Sequence, residues 1–544
     1  MATVLGINAV FHDPAAAIVV DGEIVAAAEE ERFSRRKHGK SAVPFSTWEL
    51  PEASIKFCLA RAGIGAADLD AIGYSYDPGL VTGSDASEGQ WEGLRTLYAS
   101  RAAHFVDTVL PGSRDKLRHV PHHAAHAASA WAAAPFDSCA VMVLDGRGES
   151  ASSLFGVARQ GRFETLARQR LPHSLGLRYE ELTAHLGYRR SSDEYKVMAM
   201  ASYGRPAHLE EFRRLIRTDG AGGFVTETVD WERFAPAGTG DGGVTSEHAD
   251  LASTVQTRLE EVILELASWL AEASGERNLA MAGGVALNCV ANSRLFEFGP
   301  FDSVWVQPAA GDAGTALGAA LAVATQLGDH PNQMTTAALG PEWSDAEIEA
   351  CLRAAAVPFD RPPELAQTVA EALAGDAIVA WFQGRSEFGP RALGHRSLMA
   401  HPGHAANLER LNDVKGREQF RPVAPMVLLD DAERLFEGGP IPSPHMLFTH
   451  RVKPGWKDRI PAVVHVDGTA RIQTVAADDE PLVHSMISRF KSITGLPVVV
   501  NTSLNTAGRP MVDHPRDALE CFGSAPIDVL AMGPFVVRRN RVFA

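Results

Sequence analysis

Residues 4–31, VLGINAVFHDPAAAIVVDGEIVAAAEEE, predict one strand, a turn and then a two-stranded hairpin. The hairpin signal is the Asp-Gly pair at 21–22 between two apolar runs, because the tightest hairpin turns need a left-handed backbone at both central positions. The same order returns at residues 139–169, CAVMVLDGRGESASSLFGVARQGRFETLARQ, with Gln-Gly at 160–161. The sequence therefore predicts a duplicated lobe with a ligand between the two copies.

Helical segments follow each of these units. Residues 122–134 are rich in alanine, the strongest helix former, and residues 251–273 carry apolar side chains at helical spacing. A Gly-rich turn opens a further predicted helix at 311–327. Strands and helices in this order predict an α/β protein whose first part is a duplicated, actin-like (ribonuclease H-like) ATPase fold.

A change of composition marks the expected domain boundary. Residues 327–343 are rich in Pro, Gly, Asn and Asp and show no apolar period. We therefore expect a first domain at 1–335 and a second at 336–544. The second opens on a helix with Ser344 as its N-cap and contains a buried strand at 497–505.

The composition narrows the class of partner. The chain has 544 residues, 45% of them apolar and 22% charged, and a net charge of −16. Such a chain is typical of a soluble enzyme and repels nucleic acid phosphates, so we expect a small-molecule partner. Five scattered cysteines without a CxxC pair favour the cytoplasm, and no apolar run reaches the ~18 residues of a membrane span.

The segment HHAAHAAS at 122–129 offers a metal site. His122 and His126 are four residues apart, which places both imidazoles on one face of a helix, close enough to share an ion. His123 is expected to point elsewhere. Capping and core histidines show the same spacing, so the pair alone leaves both interpretations open.

Two carboxylates favour the metal interpretation. Asp145 ends a strand of the second lobe, and Asp312 lies in the Gly-rich start of a helix, so both would face the cleft of a duplicated fold. Two His and two Asp would suit Fe(II), Mn or Zn, with positions open for a substrate oxygen. Taken singly, an Asp-Gly turn and a helix N-cap are the alternative explanations.

Two further groups of residues could bind phosphates. Gly-rich turns at 283–288 and 311–314 let a phosphate or ribose approach the backbone, although the chain has no Walker lysine motif. In the second domain, cations lie beside glycines and small polar residues, a pattern that favours a phosphate pocket over solvated surface charge. This group comprises Arg385, Arg391, Arg396, Lys415, Arg417, Arg421, Asn501, Ser503 and Asn505.

The motifs of the chain, taken in order, resemble those of the O-carbamoyltransferases of antibiotic biosynthesis and nodulation-factor decoration, such as the tobramycin, cephem and novobiocin enzymes. They are AEEERFSRRKHG, HHAAHAAS, LDGRGE, YKVMAMASYG, GGVALN, GDAGTALG, GPRALGHRS, REQFRPVAP and NTSLN. The resemblance implies a first domain similar to the enzyme that transfers threonylcarbamoyl to tRNA and an α/β second domain of the threonylcarbamoyl-AMP synthase type. It also implies that the second domain makes carbamoyl-AMP from carbamoyl phosphate and ATP, and that the first transfers the carbamoyl group to an alcohol.

The resemblance also implies residue roles, carried over by position. The metal ligands, usually of iron, correspond to His122, His126, Asp145 and Asp312. Contacts to the carbamoyl adenylate correspond to Asp145, Gly284 and Asn288. The pocket for carbamoyl phosphate and ATP, which Mg²⁺ could accompany, corresponds to Arg391, Lys415, Arg421, Arg471, Asn501 and Ser503. His12 corresponds to the histidine that could take the acceptor's proton, and Lys37 borders the acceptor.

The acceptor is expected to be a sugar or polyketide hydroxyl of a secondary metabolite. The stretch NAVFHD lacks the acidic group that precedes this motif in the aminoglycoside enzyme, which disfavours a polycationic acceptor. A homodimer is the default expectation. Three rival hypotheses remain. A tRNA threonylcarbamoyl transferase is disfavoured by the net charge and the second domain, and a metalloprotease by the lack of HExxH. An ATP-binding scaffold would leave the basic pocket without a role.

Overall fold

Two five-stranded sheets built on one plan dominate the first part of the computed structural model, which describes residues 2–81, 90–240 and 243–542. The chain separates into a first unit, 1–335, and a second unit, 336–544.

The strands of the first unit are β1 (Thr3–Asn8), β2 (Ala15–Val20), β3 (Glu23–Glu29), β4 (Ala71–Tyr74), β5 (Leu117–His119), β6 (Ser138–Leu144), β7 (Ala151–Arg159), β8 (Arg162–Arg170), β9 (Ile216–Thr218), β10 (Phe224–Thr226), β11 (Asn278–Ala282) and β12 (Ser303–Val306). Its helices are α1 (Glu31–Ser34), α2 (Glu52–Ala62), α3 (Gln90–Ala99), α4 (Ala102–Val109), α5 (His122–Trp131), α6 (Leu175–His185), α7 (Glu194–Ala201), α8 (Leu209–Leu215), α9 (Ser246–Ser274), α10 (Cys289–Phe298) and α11 (Gly314–Gln326).

The two sheets share strand order and direction. The first has the order β3-β2-β1-β4-β5 and the second β8-β7-β6-β11-β12. In each sheet the first strand pairs antiparallel with a hairpin on one side and parallel with a later strand on the other, and that later strand pairs parallel with one more. The residues at both hairpin tips have positive φ, 52° and 82° at 21–22 and 51° and 70° at 160–161, as the predicted turns require. The predicted duplicated, actin-like first domain is confirmed by this topology.

Two alanine-rich helices pack against each other in the first unit. Helix α11 packs on β1, β2 and β4, and α5 packs on β6, β7 and β11. The helices approach closely, because a Cβ added to Gly318 of α11 would clash with the carbonyl oxygen of Ala125 in α5. This contact brings the start of α11 next to the start of α5.

The predicted amphipathic helix at 251–273 is confirmed as part of α9. It begins after Thr245, whose side chain accepts the backbone N–H of His248, and it ends at Gly275 in a left-handed conformation. Within the described parts of the chain, none of the helices is long and apolar enough to cross a bilayer.

The second unit is a mixed α/β structure. Its strands are β13 (Val379–Phe382), β14 (Arg396–Ala400), β15 (Ala424–Leu428), β16 (Phe436–Glu437), β17 (His450–Val452), β18 (Thr469–Ala470), β19 (Gln473–Val475), β20 (Val498–Ser503), β21 (Val529–Met532) and β22 (Phe535–Arg538). Its helices are α12 (Asp345–Ala354), α13 (Leu365–Ala374), α14 (Ala406–Lys415), α15 (Leu429–Leu435), α16 (Pro454–Lys457), α17 (Pro481–Thr494), α18 (Pro515–Ser524) and α19 (Arg539–Val542).

One large sheet, in the order β19-β15-β20-β14-β13-β21-β22, organises this unit. The α/β class is confirmed, and the threonylcarbamoyl-AMP synthase type stays a prediction. Ser344 caps α12 as expected, since its side chain accepts the backbone N–H of Glu347. The carboxylate of Glu347 in turn accepts the backbone N–H of Ser344.

Candidate functional site

Four side chains meet at one end of the second sheet. His122 and His126 lie one turn apart on α5, Asp145 directly follows β6, and Asp312 lies just before α11. All four are buried, and one ligand atom from each lies within 4.8 Å of the others. The structure thus brings together the four residues predicted to bind a metal.

The distances within this group suit a shared ion. Nε2 of His122 lies 3.3 Å from Oδ2 of Asp145 and 3.5 Å from Oδ1 of Asp312. Nε2 of His126 lies 3.8 Å and 3.6 Å from the same two oxygens. Ligands about 2.1 Å from one ion lie roughly 3 to 3.4 Å from each other in octahedral or tetrahedral geometry.

The two Nε2 atoms support the same interpretation. Both are buried, and neither has a hydrogen-bond partner among the residues that the structure describes. Buried polar atoms rarely lack a partner, so two such nitrogens facing two carboxylates need an explanation. A divalent transition-metal ion would satisfy all four groups, and this donor set therefore fits one.

The electrostatics of the cluster favour a cation. Burial raises the pKa of Asp145, but His122 and His123 outweigh it and hold that pKa well below its usual range. Burial likewise opposes ionisation of Asp312, but His12 and His122 lower its pKa. Both carboxylates are therefore ionised at neutral pH.

Hydrogen bonds orient these side chains from behind. The N–H of Gly284 donates to Oδ1 of Asp145 at 3.0 Å, which leaves Oδ2 facing the histidines. Nδ1 of His122 lies 3.3 Å from the carbonyl oxygen of Ser75, so Nε2 is the nitrogen left for a ligand. Oε1 of Glu149 accepts the backbone N–H of His122 at 2.8 Å and fixes the first turn of α5.

Of the two residues expected at the acceptor site, His12 lies next to this cluster and Lys37 pairs with Glu31. His12 is in the turn between β1 and β2, with Nε2 3.6 Å from Oδ2 of Asp312. Burial lowers the pKa of His12, but the charge of Asp312 and the hydrogen bond to the Asp13 carboxylate outweigh it and raise this pKa to about 10. Nζ of Lys37 is 3.0 Å from Oε2 of Glu31, and its side chain is 41% exposed.

The contacts of His123 and Asn288 in the first unit differ from those expected from the sequence. The expected orientation of His123 is wrong, because its Nε2 lies 3.7 Å from Oδ2 of Asp145. Asn288 exchanges hydrogen bonds of 3.1 and 2.9 Å with Gln256 and caps α10 through Ala291. Its side chain therefore has a structural role, and its contact with an adenylate stays a prediction, as does that of Gly284.

Asn501 connects two parts of the predicted phosphate pocket. Its Nδ2 donates to the carbonyl of Ala392 at 3.0 Å and to Oε1 of Gln473 at 2.9 Å. These partners lie one residue after Arg391 and two residues after Arg471, so the structure gathers both segments around one amide. The Oδ1 of Asn501 and the Nε of Arg471 are buried and lack hydrogen-bond partners within the described chain.

Lys415 and Ser503 form a second part of this pocket. Nζ of Lys415 donates to Oγ of Ser503 at 3.0 Å. Ser503 and Asn501 are two residues apart on β20, so their side chains leave the same face of the sheet. Arg421 follows α14 and pairs with Glu418 at 3.2 Å.

Two other arginines of the sequence-predicted group have structural roles instead. Arg396 is fully buried, lies 3.8 Å over the ring of Phe382 and donates to the carbonyls of Gln383 and Pro341. The side chain of Arg385 donates to backbone carbonyls of the segment that precedes α12. Their guanidinium groups donate to backbone carbonyl oxygens, which sequence spacing alone does not reveal.

Sequence reasoning missed Glu387. Its buried Oε1 accepts the N–H groups of Leu393, His395 and Arg396 at 2.6, 3.0 and 3.2 Å. One carboxylate thereby fixes the loop that carries Arg391. The available signal was an acidic residue among three arginines in GRSEFGPRALGHRS.

Fold and site together define a two-unit α/β protein with a buried cluster of two histidines and two aspartates in its first unit and, in its second, the predicted Arg391 and Arg471 segments joined by Asn501. The sequence model of the carbamoyltransferase N-terminus family matches residues 3–84 and 94–321. The sequence model of the carbamoyltransferase C-terminus family matches residues 370–539. The chain belongs to the carbamoyltransferase family and is an enzyme that transfers carbamoyl groups.

Curated relatives match over nearly the whole chain. An uncharacterized protein of Synechocystis is 36% identical, over 99% of this chain and 97% of its own. Nodulation protein NolNO of Sinorhizobium fredii is 36% identical, over 98% and 80%. Among solved structures, HypF of T. kodakarensis aligns with 61% of this chain and 49% of its own length, at 16% sequence identity and a TM-score of 0.37.

Proposed function

We propose that the protein is an ATP-dependent O-carbamoyltransferase with two chemically distinct sites. The second unit forms carbamoyl-AMP, and the first unit transfers the carbamoyl group to a hydroxyl of a secondary metabolite, such as a sugar or polyketide hydroxyl. The observation that carries the proposal is the opposite character of the two sites. Four buried ligand atoms lie within 4.8 Å of one another in the first unit, and in the second Asn501 joins the segments that follow Arg391 and Arg471, while Lys415 contacts Ser503 on the same strand.

The proposed chemistry of the second unit needs several fixed cations. Carbamoyl phosphate is hydrolysed to carbamate and phosphate, the carbamate oxygen attacks the α-phosphorus of ATP, and pyrophosphate leaves. Arg391, Lys415 and Arg471 would neutralise the phosphates, with Arg421 and Ser503 beside them. The unpartnered Oδ1 of Asn501 would accept an N–H of the carbamoyl group. Mg²⁺ bound to ATP would share the charge.

The proposed chemistry of the first unit is attack of an alcohol on the carbamoyl carbon. His122, His126, Asp145 and Asp312 would hold Fe²⁺, or Mn²⁺ or Zn²⁺, which when bound would stabilise negative charge on the carbamoyl and phosphate oxygens. Nε2 of His12 accepts the hydroxyl proton as the new C–O bond forms and AMP leaves. Neutralisation of Asp312 by the bound cation would lower the raised pKa of His12 and leave this nitrogen free to accept.

The proposal also covers the remaining ligand contacts, the cellular location and the oligomeric state. Gly284 and Asn288 would contact the adenylate and Lys37 the acceptor. A cytoplasmic location accords with five free cysteines, and a homodimer is proposed by default. Nucleic acid is not expected as a partner, given the net charge of −16.

The test uses the purified full-length protein with ATP, carbamoyl phosphate and a panel of hydroxylated natural products. We expect pyrophosphate release that requires carbamoyl phosphate, and a product heavier than one panel member by one carbamoyl group. Pyrophosphate release that is equal without carbamoyl phosphate would contradict the adenylate. A mass gain on an amine instead of a hydroxyl would contradict O-transfer.

A further inference from the structure

His12 is the first member of a chain of hydrogen bonds that leads away from the metal-type cluster. Its Nδ1 lies 2.9 Å from Oδ2 of Asp13, and the other oxygen of Asp13 lies 2.9 Å from Nδ1 of His38. Nε2 of His38 then contacts Oγ of Ser192 at 2.8 Å. The carboxylate of Asp13 therefore accepts from two imidazoles, and only Nε2 of His12 faces Asp312.

The backbone of this chain is held in an uncommon conformation. Asp13 and His38 both have positive φ, 48° and 62°, although neither is glycine. Such left-handed residues cost free energy and persist only where their surroundings enforce them. The Nδ2 of Asn8 donates to the carbonyls of His12 and Asp13 at 2.9 Å each, and Glu31 accepts the N–H of His38 at 2.8 Å. Both turns are thus fixed by buried or half-buried side chains.

Asp13, Glu31 and His38 also lie close enough together to hold an ion. Their atoms already have protein partners, however, because Lys37 pairs with Glu31 and both oxygens of Asp13 accept from histidines. An ammonium group next to a cation position is repulsive, so this group is better explained as a support for His12.

We propose that Asp13 and His38 are positioning residues for carbamoyl transfer. Asp13 holds the Nδ1–H of His12, so that Nε2 is the nitrogen presented to the reacting hydroxyl, and His38 holds Asp13. A base oriented by a carboxylate is a recurrent arrangement in acyl transfer, where loss of the carboxylate leaves the base with the wrong nitrogen protonated. The inference rests on the proposed role of His12.

The first test observes the hydrogen bonds directly by NMR of ¹⁵N-histidine-labelled, zinc-loaded full-length protein. An imidazole N–H that donates to a buried carboxylate gives a far-downfield proton signal, and we expect one each for His12 and His38, identified by their loss in His12→Asn and His38→Asn. Asp13→Gly removes the carboxylate while tolerating positive φ, and both signals should disappear. Persistence of the His12 signal in Asp13→Gly would overturn the proposal.

The second test measures transfer to the hydroxyl compound that gains mass in the panel. We expect Asp13→Gly to lower kcat about 1000-fold with KM changed less than about threefold, and to add no further loss to His12→Ala. A further loss in the His12→Ala background would indicate a general structural role and contradict the inference. If carbamoyl-dependent pyrophosphate release is missing from the native protein, the proposed function fails, while the NMR result still decides the hydrogen bonds.

His38 provides a matched pair of variants if Asp13→Gly does not fold. His38→Asn keeps an N–H donor near the position of Nδ1 and suits the left-handed backbone, whereas His38→Ala removes the donor. We expect nearly native transfer for His38→Asn and a loss of about 10- to 100-fold for His38→Ala, the usual effect of losing an outer support. Equal loss in both variants would contradict the role of the donor.

Discussion

The candidate sites of the two units differ in the kind of buried polar atom that lacks a partner within the described chain. In the first unit, Nε2 of His122 and His126 face Asp145 and Asp312 at 3.3 to 3.8 Å without making hydrogen bonds among the described residues. In the second, Nδ2 of Asn501 is bound to Ala392 and Gln473, while Oδ1 of Asn501 and Nε of Arg471 are buried without a partner within the described chain.

The difference indicates what each site is built to receive. A buried group of two carboxylates and two imidazoles gains its missing contacts from a cation. A loop fixed by Glu387 and Asn501 carries Arg391, and Lys415 at the end of α14 contacts Ser503, an arrangement that would suit an anion. The two sites should therefore fail separately when residues are changed.

The largest expected effect is that of Asp312→Asn. Loss of one charged ligand should remove the bound metal and lower carbamoyl transfer about 1000-fold, since a metal ion supplies several kcal/mol of charge stabilisation. Metal content by mass spectrometry and transfer to the hydroxyl acceptor measure this. Asp302→Asn, which changes an exposed carboxylate paired with Arg277, is the control and should keep metal and activity. A full metal complement in Asp312→Asn would contradict the cluster.

The next effect concerns Arg471→Gln. Its guanidinium has a buried Nε without a partner in the described chain, so we expect it to bind a phosphate. Loss of a charge-assisted hydrogen bond costs about 1.5–3 kcal/mol, or about 10- to 150-fold in kcat/KM for carbamoyl phosphate. Arg353→Gln removes an exposed arginine paired with Glu349 and should leave this constant unchanged. Equal constants for Arg471→Gln and the native protein would exclude Arg471 from the pocket.

A smaller effect is expected for Glu149→Ala, because Glu149 touches no ligand atom and its Oε1 accepts the backbone N–H groups of His122 and Asp77. Metal affinity should fall about 10- to 100-fold, as it does when an outer support of a ligand is lost. Glu149→Gln keeps an acceptor oxygen and should retain most of the affinity. Competition with a chromogenic chelator measures both, and equal affinities for the Ala and Gln variants would show that the bond has no role.

The smallest effect is expected for Ser344→Ala. The change removes the capping box of α12 and should destabilise the second unit by about 1 kcal/mol. A lower thermal midpoint with unchanged pyrophosphate release would show that the pocket tolerates a loosened helix end. A large loss of pyrophosphate release would instead place this helix end in the site.

The sequence predicted most of the architecture because its signals are local. Asp-Gly and Gln-Gly turns between apolar runs predicted both hairpins, and Ser344 as an N-cap predicted a helix start. The four residues of the metal-type cluster could be named because HxxxH, an aspartate at a strand end and an aspartate at a helix start converge once the lobe is duplicated.

The remaining features depend on contacts between residues distant in sequence. Arg391 and Arg396 look alike in GPRALGHRS, yet Arg396 is buried on Phe382 among carbonyl oxygens. Asp13 and His38 are 25 positions apart and meet only after the first sheet has formed. Sequence spacing does not specify such partners, so these roles become visible only in the three-dimensional structure.

The most direct test of two separate sites is pyrophosphate release from ATP, with and without carbamoyl phosphate, by Asp312→Asn and Arg471→Gln side by side. We predict that Asp312→Asn keeps the carbamoyl-phosphate-dependent rate of pyrophosphate release of the native protein. Arg471→Gln should lose at least about 90% of this rate at subsaturating carbamoyl phosphate. Equal loss in both variants, or loss confined to Asp312→Asn, would contradict it.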